Sequence, residues 1–269
     1  MQAMKLITSA QNEQLKHVSK LLSQAKARRE YGQTVLEGVH LLQAYLQAGH
    51  QPLQVYIPES KSHQAEIRTL LAQLPPNILT CVSNEALSKI TSLSDADDVM
   101  TVINIPEQPK WPSEGDCIVL ERVQDPGNVG TIMRSAAAAG LTQLIVSNDS
   151  ADVWSPKVLR SGMGAHFLLG IHTRVALPQW LDAYQGKVWA TALSEENNYS
   201  LYALDLRGQS AWIFGNEGSG VSAEVLAKVS GCVKIPMAGQ TESLNVAMAA
   251  TVCLFEQMRQ RLSSTTEAV

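Results

Sequence analysis

Patterns for disulfide bonds and for zinc are missing from this sequence. Its four cysteines lie far apart without any CxxC pair, and its six histidines show no metal-ligand spacing. Dispersed cysteines of this kind are typical of buried thiols in a reducing compartment. We therefore expect a cytoplasmic protein that contains no structural metal.

Long apolar runs are missing as well. Every candidate for a membrane span is interrupted by charge or glycine, and the first residues lack the apolar block of a signal peptide. Hydrophobic residues make up 45% and charged residues 17% of the 269 positions, which indicates a globular protein of one large or two ordinary domains. We expect no membrane partner.

Positive charge is scarce overall but concentrated at one end. The net charge is −4, yet residues 1–31 carry six basic and two acidic side chains, whereas residues 32–105 and 106–269 each carry a net charge of −4. A basic arm on a mildly acidic protein predicts a phosphate-contacting patch, and the alternative is an ordinary solvated helix face. The candidate RNA-binding residues in this arm are Lys16, Lys20, Arg28 and Arg29.

Strands and helices alternate along the chain, which predicts an α/β fold. Residues 1–105 are typical of a small α/β domain, whose first helix should run from Asn12 to Arg29. Residues 106–116 contain three prolines without periodicity and are typical of a linker. Residues 117–269 alternate again and predict a parallel sheet, in which ligands bind beyond the carboxyl ends of the strands.

The first chemically suggestive stretch is 125–136, directly after a buried strand. Helical spacing puts Gly127, Gly130 and Thr131 on the face that bears Arg134. A smooth surface with one guanidinium near a helix N-terminus suits a phosphate or another polar ligand. The alternative is a tightly packed helix with Arg134 in a structural salt bridge.

The second stretch, 213–222, predicts a strand that enters a glycine-rich turn and then a helix. Its glycines at 215, 218 and 220 are not in the GxGxxG order, and no lysine follows the last one. The stretch therefore matches neither a dinucleotide loop nor a nucleoside triphosphate loop. By itself it indicates only a turn.

The third stretch, 235–250, predicts a strand end, a tight loop and a long helix. The loop brings Ser243 and Asn245 into the first helical turn, where unpaired N–H groups can hold a carboxylate, a carbonyl or a purine edge. The alternative is that both side chains only cap a core helix. The apolar stripe predicted for the core face of this helix is Leu244, Ala247, Met248, Thr251, Leu254, Phe255, Met258 and Leu262.

Taken in order, the three stretches read NxGxxxR at 128–134, GNEGxG at 215–220 and IPMxG…SLNVxxA at 235–249. This order resembles the SpoU class of RNA ribose 2′-O-methyltransferases, which belong to the trefoil-knotted (SPOUT) superfamily. Ser9, Asn12, Lys16 and the Leu-Glu-Gly at 36–38 are similar to that family's ribosomal-protein-like (L30e-like) RNA-binding domain. The resemblance implies an RNA-binding domain at 1–105 and a deeply knotted methyltransferase domain at 117–269. It also implies a homodimer formed through the knotted domain.

The resemblance further implies a role for individual residues. S-adenosylmethionine would be bound by Thr191, Leu193, Gly215, Asn216, Gly218, Ile235, Met237, Ser243 and Leu244. Arg134 would hold the target phosphate and stabilise the developing alkoxide, since a guanidinium is almost never deprotonated in a protein. The catalytic residues that would orient Arg134, the cofactor and the ribose are Asn128, Glu217, Ser243 and Asn245.

Ribosomal RNA is the expected substrate, because the stretch at 235–246 looks like that of enzymes acting on a guanosine of 23S rRNA. The same chemistry on tRNA is the alternative, although tRNA enzymes of this class usually carry short basic extensions in place of a bulky N-terminal domain. A non-catalytic RNA-binding protein is a third reading, and it predicts loss of Arg134, Asn245 or the glycines at 215–220, all of which are present. A nicotinamide-dependent reductase is a fourth reading, which the order of the glycines disfavours.

Overall fold

The computed structural model describes residues 5–91, 98–192, 198–241 and 243–266. The chain divides into two compact units: residues 1–107 with 154–167, and residues 108–153 with 168–269. Within the described ranges no helix is both long enough and apolar enough to span a membrane.

Residues 5–107 contain short alternating elements. They are β1 (Leu6–Ile7), α1 (Glu13–Ser23), α2 (Ala25–Tyr31), β2 (Gln33–Glu37), α3 (Val39–Gln47), β3 (Gln54–Pro58), α4 (Ala65–Leu71), β4 (Leu79–Val82), α5 (Asn84–Ser88) and β5 (Met100–Asn104). The strands form one sheet in the order β1-β4-β3-β5-β2, in which β5 runs antiparallel to β2 and β3 while β1, β4 and β3 run parallel. An α/β unit is therefore present here, as the alternation predicts.

The remaining elements follow in chain order. They are β6 (Cys117–Leu120), α6 (Pro126–Ala138), β7 (Gln143–Ser147), α7 (Pro156–Gly162), β8 (Gly170–Val175), α8 (Leu177–Ala183), β9 (Lys187–Thr191), β10 (Asn198–Ser200), β11 (Ser210–Phe214), α9 (Ala223–Leu226), β12 (Gly231–Lys234) and α10 (Val246–Thr266). Seven strands form a fully parallel sheet in the order β10-β12-β9-β11-β6-β7-β8. The predicted parallel α/β fold is confirmed, and the trefoil knot stays a prediction.

The predicted helix from Asn12 to Arg29 is two helices, because the backbone is extended at Gln24 (φ −124°, ψ 112°). Arg28 explains the break. Its side chain is only 4% exposed, and its guanidinium donates hydrogen bonds of 2.6 and 3.4 Å to the carbonyls of Leu21 and Leu22, where α1 ends. These carbonyls have no partner within the helix, so Arg28 caps α1. The expectation that Arg28 contacts RNA is wrong for this buried side chain.

The apolar stripe predicted for α10 is also partly wrong. Met248, Phe255 and Leu262 are 49%, 39% and 60% exposed. The buried face holds Ala247 and Leu254, as predicted, together with Ala250, Cys253 and Gln257. Gln257 belongs there because Trp212 Nε1 donates to its Oε1 at 2.8 Å, so its amide is paired inside the protein. Apolar side chains lie on both sides of this helix, so spacing alone does not identify the core side.

The segment Trp154–Phe167 packs in the first unit, although it lies between two strands of the second unit's sheet. Thr34 Oγ1 donates to the carbonyl of Trp154 at 2.8 Å, and Arg160 Nη1 lies 3.3 Å from Oε2 of the buried Glu37. Ser155 caps α7 and Pro156 occupies its first turn, as the sequence predicts. The packing partner of α7 was not predictable from that local pattern.

Candidate active site

Four neighbouring strands bring the three suggestive stretches together. The order β12-β9-β11-β6 places the loops after these strands at one edge of the parallel sheet. A cavity of about 660 Å³ lies there. Its lining includes the predicted residues Thr191, Gly215, Asn216, Glu217, Gly218, Ile235, Met237, Ser243, Leu244 and Asn245. Leu193, the other residue predicted to bind the cofactor, lies outside the described residues.

A chain of hydrogen bonds crosses the rim of this cavity. Asn128 Nδ2 donates to Glu217 Oε1 at 3.0 Å, and Asn128 Oδ1 accepts from Asn245 Nδ2 at 3.0 Å. Asn245 Oδ1 in turn accepts from the backbone N–H groups of Ala247 and Met248, so it caps α10. Asn128 therefore links the two other motif stretches, and Asn245 serves both as a cap and as a member of the site.

Glu217 is held as a carboxylate. Burial acts to raise its pKa, but hydrogen bonds from the Asn128 side chain and from the backbone of Glu217, Asp125 and Gln124 outweigh burial and lower the pKa below 4.5. The backbone N–H groups of Gln124 and Asp125 donate at 3.3 and 3.2 Å. A carboxylate with a lowered pKa is a weak proton acceptor, so this environment favours an orienting role over general-base catalysis.

The glycine-rich loop depends on close backbone packing. A Cβ on Gly215 would lie 2.3 Å from the carbonyl carbon of Gly220, and Gly220 has a positive φ of 66°. Asn216 holds the turn: its Oδ1 accepts from the N–H groups of Gly218 and Ser219 at 3.0 Å each. The Asn216 amide therefore shapes the loop that lines the cavity.

Two residues that the sequence did not single out hold this loop in place, and both lie directly after β6. Arg122 accepts from Asn216 Nδ2 through its backbone carbonyl at 2.9 Å and donates from Nη2 to the carbonyl of Gly220 at 3.1 Å. Glu121 accepts from the N–H and hydroxyl of Ser222 at 2.8 and 2.5 Å. Arg122 has a positive φ of 56°, which is uncommon for a residue with a side chain. The sequence feature that could have indicated these two residues is a Glu-Arg pair directly after a buried strand.

Arg134 lies apart from these contacts. It is exposed on α6, and among the described residues it forms no hydrogen bond or ion pair. Of the basic arm, Lys16 and Lys20 are exposed on α1 and Arg29 on α2. Thus Asn128, Glu217, Ser243 and Asn245 gather at the cavity, whereas the guanidinium of Arg134 is available to a partner.

Comparisons with known proteins agree with this geometry. The model of the SpoU rRNA Methylase family matches residues 116–255, and that of the MRM3-like substrate binding domain matches residues 12–101. The chain is 37% identical to an uncharacterized tRNA/rRNA methyltransferase of Synechocystis sp., over 97% of this chain and 96% of that protein. It is 31% identical to the 23S rRNA (guanosine(2553)-2′-O)-methyltransferase RlmP of Bacillus subtilis, over 94% and 98%.

A solved structure is similar along almost the whole chain. The crystal structure of the AdoMet-bound rRNA methyltransferase from Sinorhizobium meliloti has a TM-score of 0.81 and 27% identity, over 95% of this chain and 98% of that chain. Family model, relatives and architecture therefore agree. The chain belongs to the SpoU rRNA methylase family.

Proposed function

We propose that this chain transfers a methyl group from S-adenosylmethionine to a ribose 2′-hydroxyl of RNA, with a guanosine of 23S rRNA as the target. The hydrogen-bond chain Glu217–Asn128–Asn245 carries the proposal, because it joins the three motif stretches at the rim of one cavity. The relative RlmP, named for guanosine 2′-O-methylation of 23S rRNA, supports the substrate class. Since that relative is bacterial, we propose the cytoplasm as the compartment.

The residues at the cavity fit S-adenosylmethionine. A volume of about 660 Å³ suits a small organic cofactor. The missing side chain at Gly215 lets the loop fold back on Gly220, and Ile235 and Met237 supply apolar walls. We propose that the predicted cofactor residues hold this molecule, with Leu244 packing against it from the loop before α10.

The cofactor supplies a methyl group that is already activated on a sulfonium, so the protein must position the ribose and help its proton leave. Asn128 and Asn245 carry amides that can orient the ribose beside the cavity. Glu217, whose pKa is lowered, fixes the Asn128 amide by accepting from it. In this proposal Arg134 stays protonated, holds the target phosphate and stabilises charge on the 2′-oxygen.

We also propose a homodimer formed through the second unit. The exposed apolar side chains Met248, Phe255 and Leu262 support it, because they follow one another at seven-residue spacing along α10. Sedimentation of wild type should give a dimer, and Met248→Asp combined with Phe255→Asp should give a monomer. Leu53→Asp, an equally exposed leucine of the first unit, should leave the dimer intact. A monomeric wild type would contradict this proposal.

We also propose a function for each segment. Residues 1–105 bind RNA, residues 106–116 connect the two domains, and residues 117–269 bind the cofactor and catalyse. The match of residues 12–101 to a substrate binding domain supports it. The exposed basic residues Lys20 and Arg29 of this region are the candidates for phosphate contact.

Methyl transfer from tritium-labelled S-adenosylmethionine to RNA of cells lacking this gene tests the proposal. Alkaline hydrolysis follows, because a 2′-O-methyl group blocks cleavage of the adjacent phosphodiester. Label in alkali-resistant dinucleotides of 23S rRNA, lowered at least about a hundredfold by Arg134→Ala, is expected. Lys157→Ala, another exposed cation, is the matched control and should keep wild-type transfer. Label confined to tRNA, or no transfer while the cofactor still binds, would overturn the proposal.

A further inference from the structure

An exposed aromatic side chain lies beside the basic arm of the first unit. Tyr31, the last residue of α2, is 47% exposed. Its ring meets the ring of His17 edge-on, with 4.7 Å between the ring centroids and 82° between the planes. His17 is fixed in turn, because its Nε2 lies 2.8 Å from Gln33 Oε1. In a T-shaped pair His17 covers at most one face of the Tyr31 ring, so another face stays available at little cost in side-chain entropy.

Two lysines lie near this pair. Lys16 and Lys20 are exposed on α1, and Lys20 is a neighbour of His17 because residues three apart on a helix lie side by side. Lys16 pairs with Glu13 at 2.8 Å, whereas Lys20 forms no ion pair with any described residue. We name the four residues Lys16, His17, Lys20 and Tyr31 the aromatic-basic face.

The combination of an exposed lysine and an exposed aromatic ring has a specific use in RNA binding. Lysine contributes a contact to phosphate that depends on salt, while an aromatic face stacks on a splayed nucleobase. A regular duplex keeps its bases stacked on one another and offers none to a tyrosine. The face therefore matches single-stranded or looped RNA.

We propose that the aromatic-basic face binds an unpaired segment of the RNA substrate, with a nucleobase stacked on Tyr31 and the adjoining phosphate at Lys20. This inference rests on the proposed function and names the RNA feature that the first unit recognises. His17 acts as a positioning residue, because its ring packs against the Tyr31 ring in a T-shaped arrangement.

The test measures binding of the full chain to unmodified 23S rRNA transcribed in vitro, over a range of about 50 to 300 mM KCl. Tyr31→Ala should raise Kd roughly 5- to 100-fold without changing the slope of log Kd against log salt, because stacking releases no counterions. Tyr31→Phe should bind within about twofold of wild type, since it keeps the ring. Lys20→Ala should reduce the magnitude of the slope by about 0.7 to 0.9.

Controls separate stacking from folding. Tyr31→Leu keeps apolar bulk against His17 but has no aromatic face, so it should lose as much affinity as Tyr31→Ala. Tyr202→Ala removes another exposed tyrosine and should bind like wild type. Every variant should bind S-adenosylmethionine with the wild-type affinity, because the cavity lies in the second unit.

Wild-type affinity in Tyr31→Ala or Tyr31→Leu would overturn the inference. So would a loss that is equally large with a perfect RNA duplex, which has no unpaired base. If wild type methylates 23S rRNA while the Tyr31 variants bind it normally, only this inference fails. If wild type neither binds nor methylates 23S rRNA, the proposed function itself fails.

Discussion

Asn128 is the single side chain on which the site's arrangement most depends. Its amide donates to Glu217 and accepts from Asn245, so both halves of the amide are used at once. Neither a carboxylate nor an alkyl group can do both, since a carboxylate only accepts. Asparagine is therefore required at this position, because its amide can donate and accept at the same time.

Replacing Asn128 by Asp should be more harmful than its similar size suggests. The new carboxylate would face Glu217 across the distance that is now a 3.0 Å hydrogen bond, and like charges so close repel. We expect transfer to fall roughly 10- to 100-fold, in line with about 1–3 kcal/mol for an unpaired site group. Single-turnover transfer measures this. Asn148→Asp, at an exposed turn, is the control and should keep activity; an unchanged rate in Asn128→Asp would contradict the account.

Glu217 predicts a change of stability with pH. Because its pKa in the folded protein is below 4.5, the carboxylate stabilises the fold at pH values above 4.5, and this contribution is lost as the pH falls through the lowered pKa. When the pH is lowered from neutral into the acid range, the free energy of unfolding should therefore fall less in Glu217→Gln than in wild type. Urea unfolding at a series of pH values measures the difference. Glu224→Gln, at an exposed position on α9, should keep the wild-type pH dependence; an equal dependence in Glu217→Gln would show that the expectation is wrong.

At the scale of elements, the loop at 215–220 is a rigid part of the cavity. Its turn is closed by two backbone hydrogen bonds, Asn216 N–H to Gly220 carbonyl at 3.1 Å and Gly220 N–H to Asn216 carbonyl at 2.9 Å. Arg122 and Glu121, directly after the neighbouring strand β6, hold the loop in place. A loop fixed in this way can present its backbone to a cofactor without ordering first.

Gly215→Ala tests that rigidity. The added methyl would clash with the backbone of Gly220 and Val221 at 2.3 and 2.4 Å, and neither atom belongs to a flexible side chain. Overpacking of this kind costs about 1–3 kcal/mol, so we expect cofactor affinity to fall roughly tenfold or more. Calorimetric titration with S-adenosylmethionine measures it. Gly208→Ala has open space around the new methyl and should bind normally; normal binding by Gly215→Ala would contradict the rigid loop.

The elements also separate what sequence reasoning reaches from what it does not. Buried strands alternating with helices predicted the parallel sheet, because each strand followed by a helix must cross over to its neighbour. Three details depend on contacts beyond the local pattern and were not predictable. They are the break at Gln24, after the end of α1 that Arg28 caps, the buried side of α10, and the left-handed backbone of Arg122. In the site, the resemblance to the SpoU family led to Asn128, Glu217 and Asn245, and their direct hydrogen bonding needed the coordinates.

At the scale of the whole molecule, the first unit is discontinuous in sequence. Residues 154–167 belong to it, and their contacts with β2 and α3 include Thr34 with Trp154, Arg160 with Glu37, and ring packing of Tyr45 against Phe167 at 5.0 Å. The proline-rich linker is therefore one of three places where the chain passes from one unit to the other.

A fragment obtained by cutting the chain in that linker should expose apolar surface and be less stable than the full chain. Residues 108–269 alone would leave Trp154 and Phe167 without Thr34 and Tyr45, their partners in the first unit. We expect more binding of a hydrophobic dye and a lower Tm than in the full chain. The same fragment with Trp154→Ser and Phe167→Ser should bind less dye. Dye binding by the unmodified fragment no greater than by the full chain would contradict this expectation.

The placement of residues 154–167 also bears on how this architecture can be recombined. Exchanging the first unit at the linker alone would place foreign residues against the native segment 154–167. That segment pairs Arg160 with Glu37 and packs Gly164 so close to Ala44 that a Cβ on Gly164 would lie 2.7 Å from the Ala44 Cβ. A working chimaera must exchange residues 1–107 and 154–167 together. If the first unit binds RNA, as we propose, RNA specificity grafted from another family member would thus require two exchanged segments, one of them between two strands of the second unit's sheet.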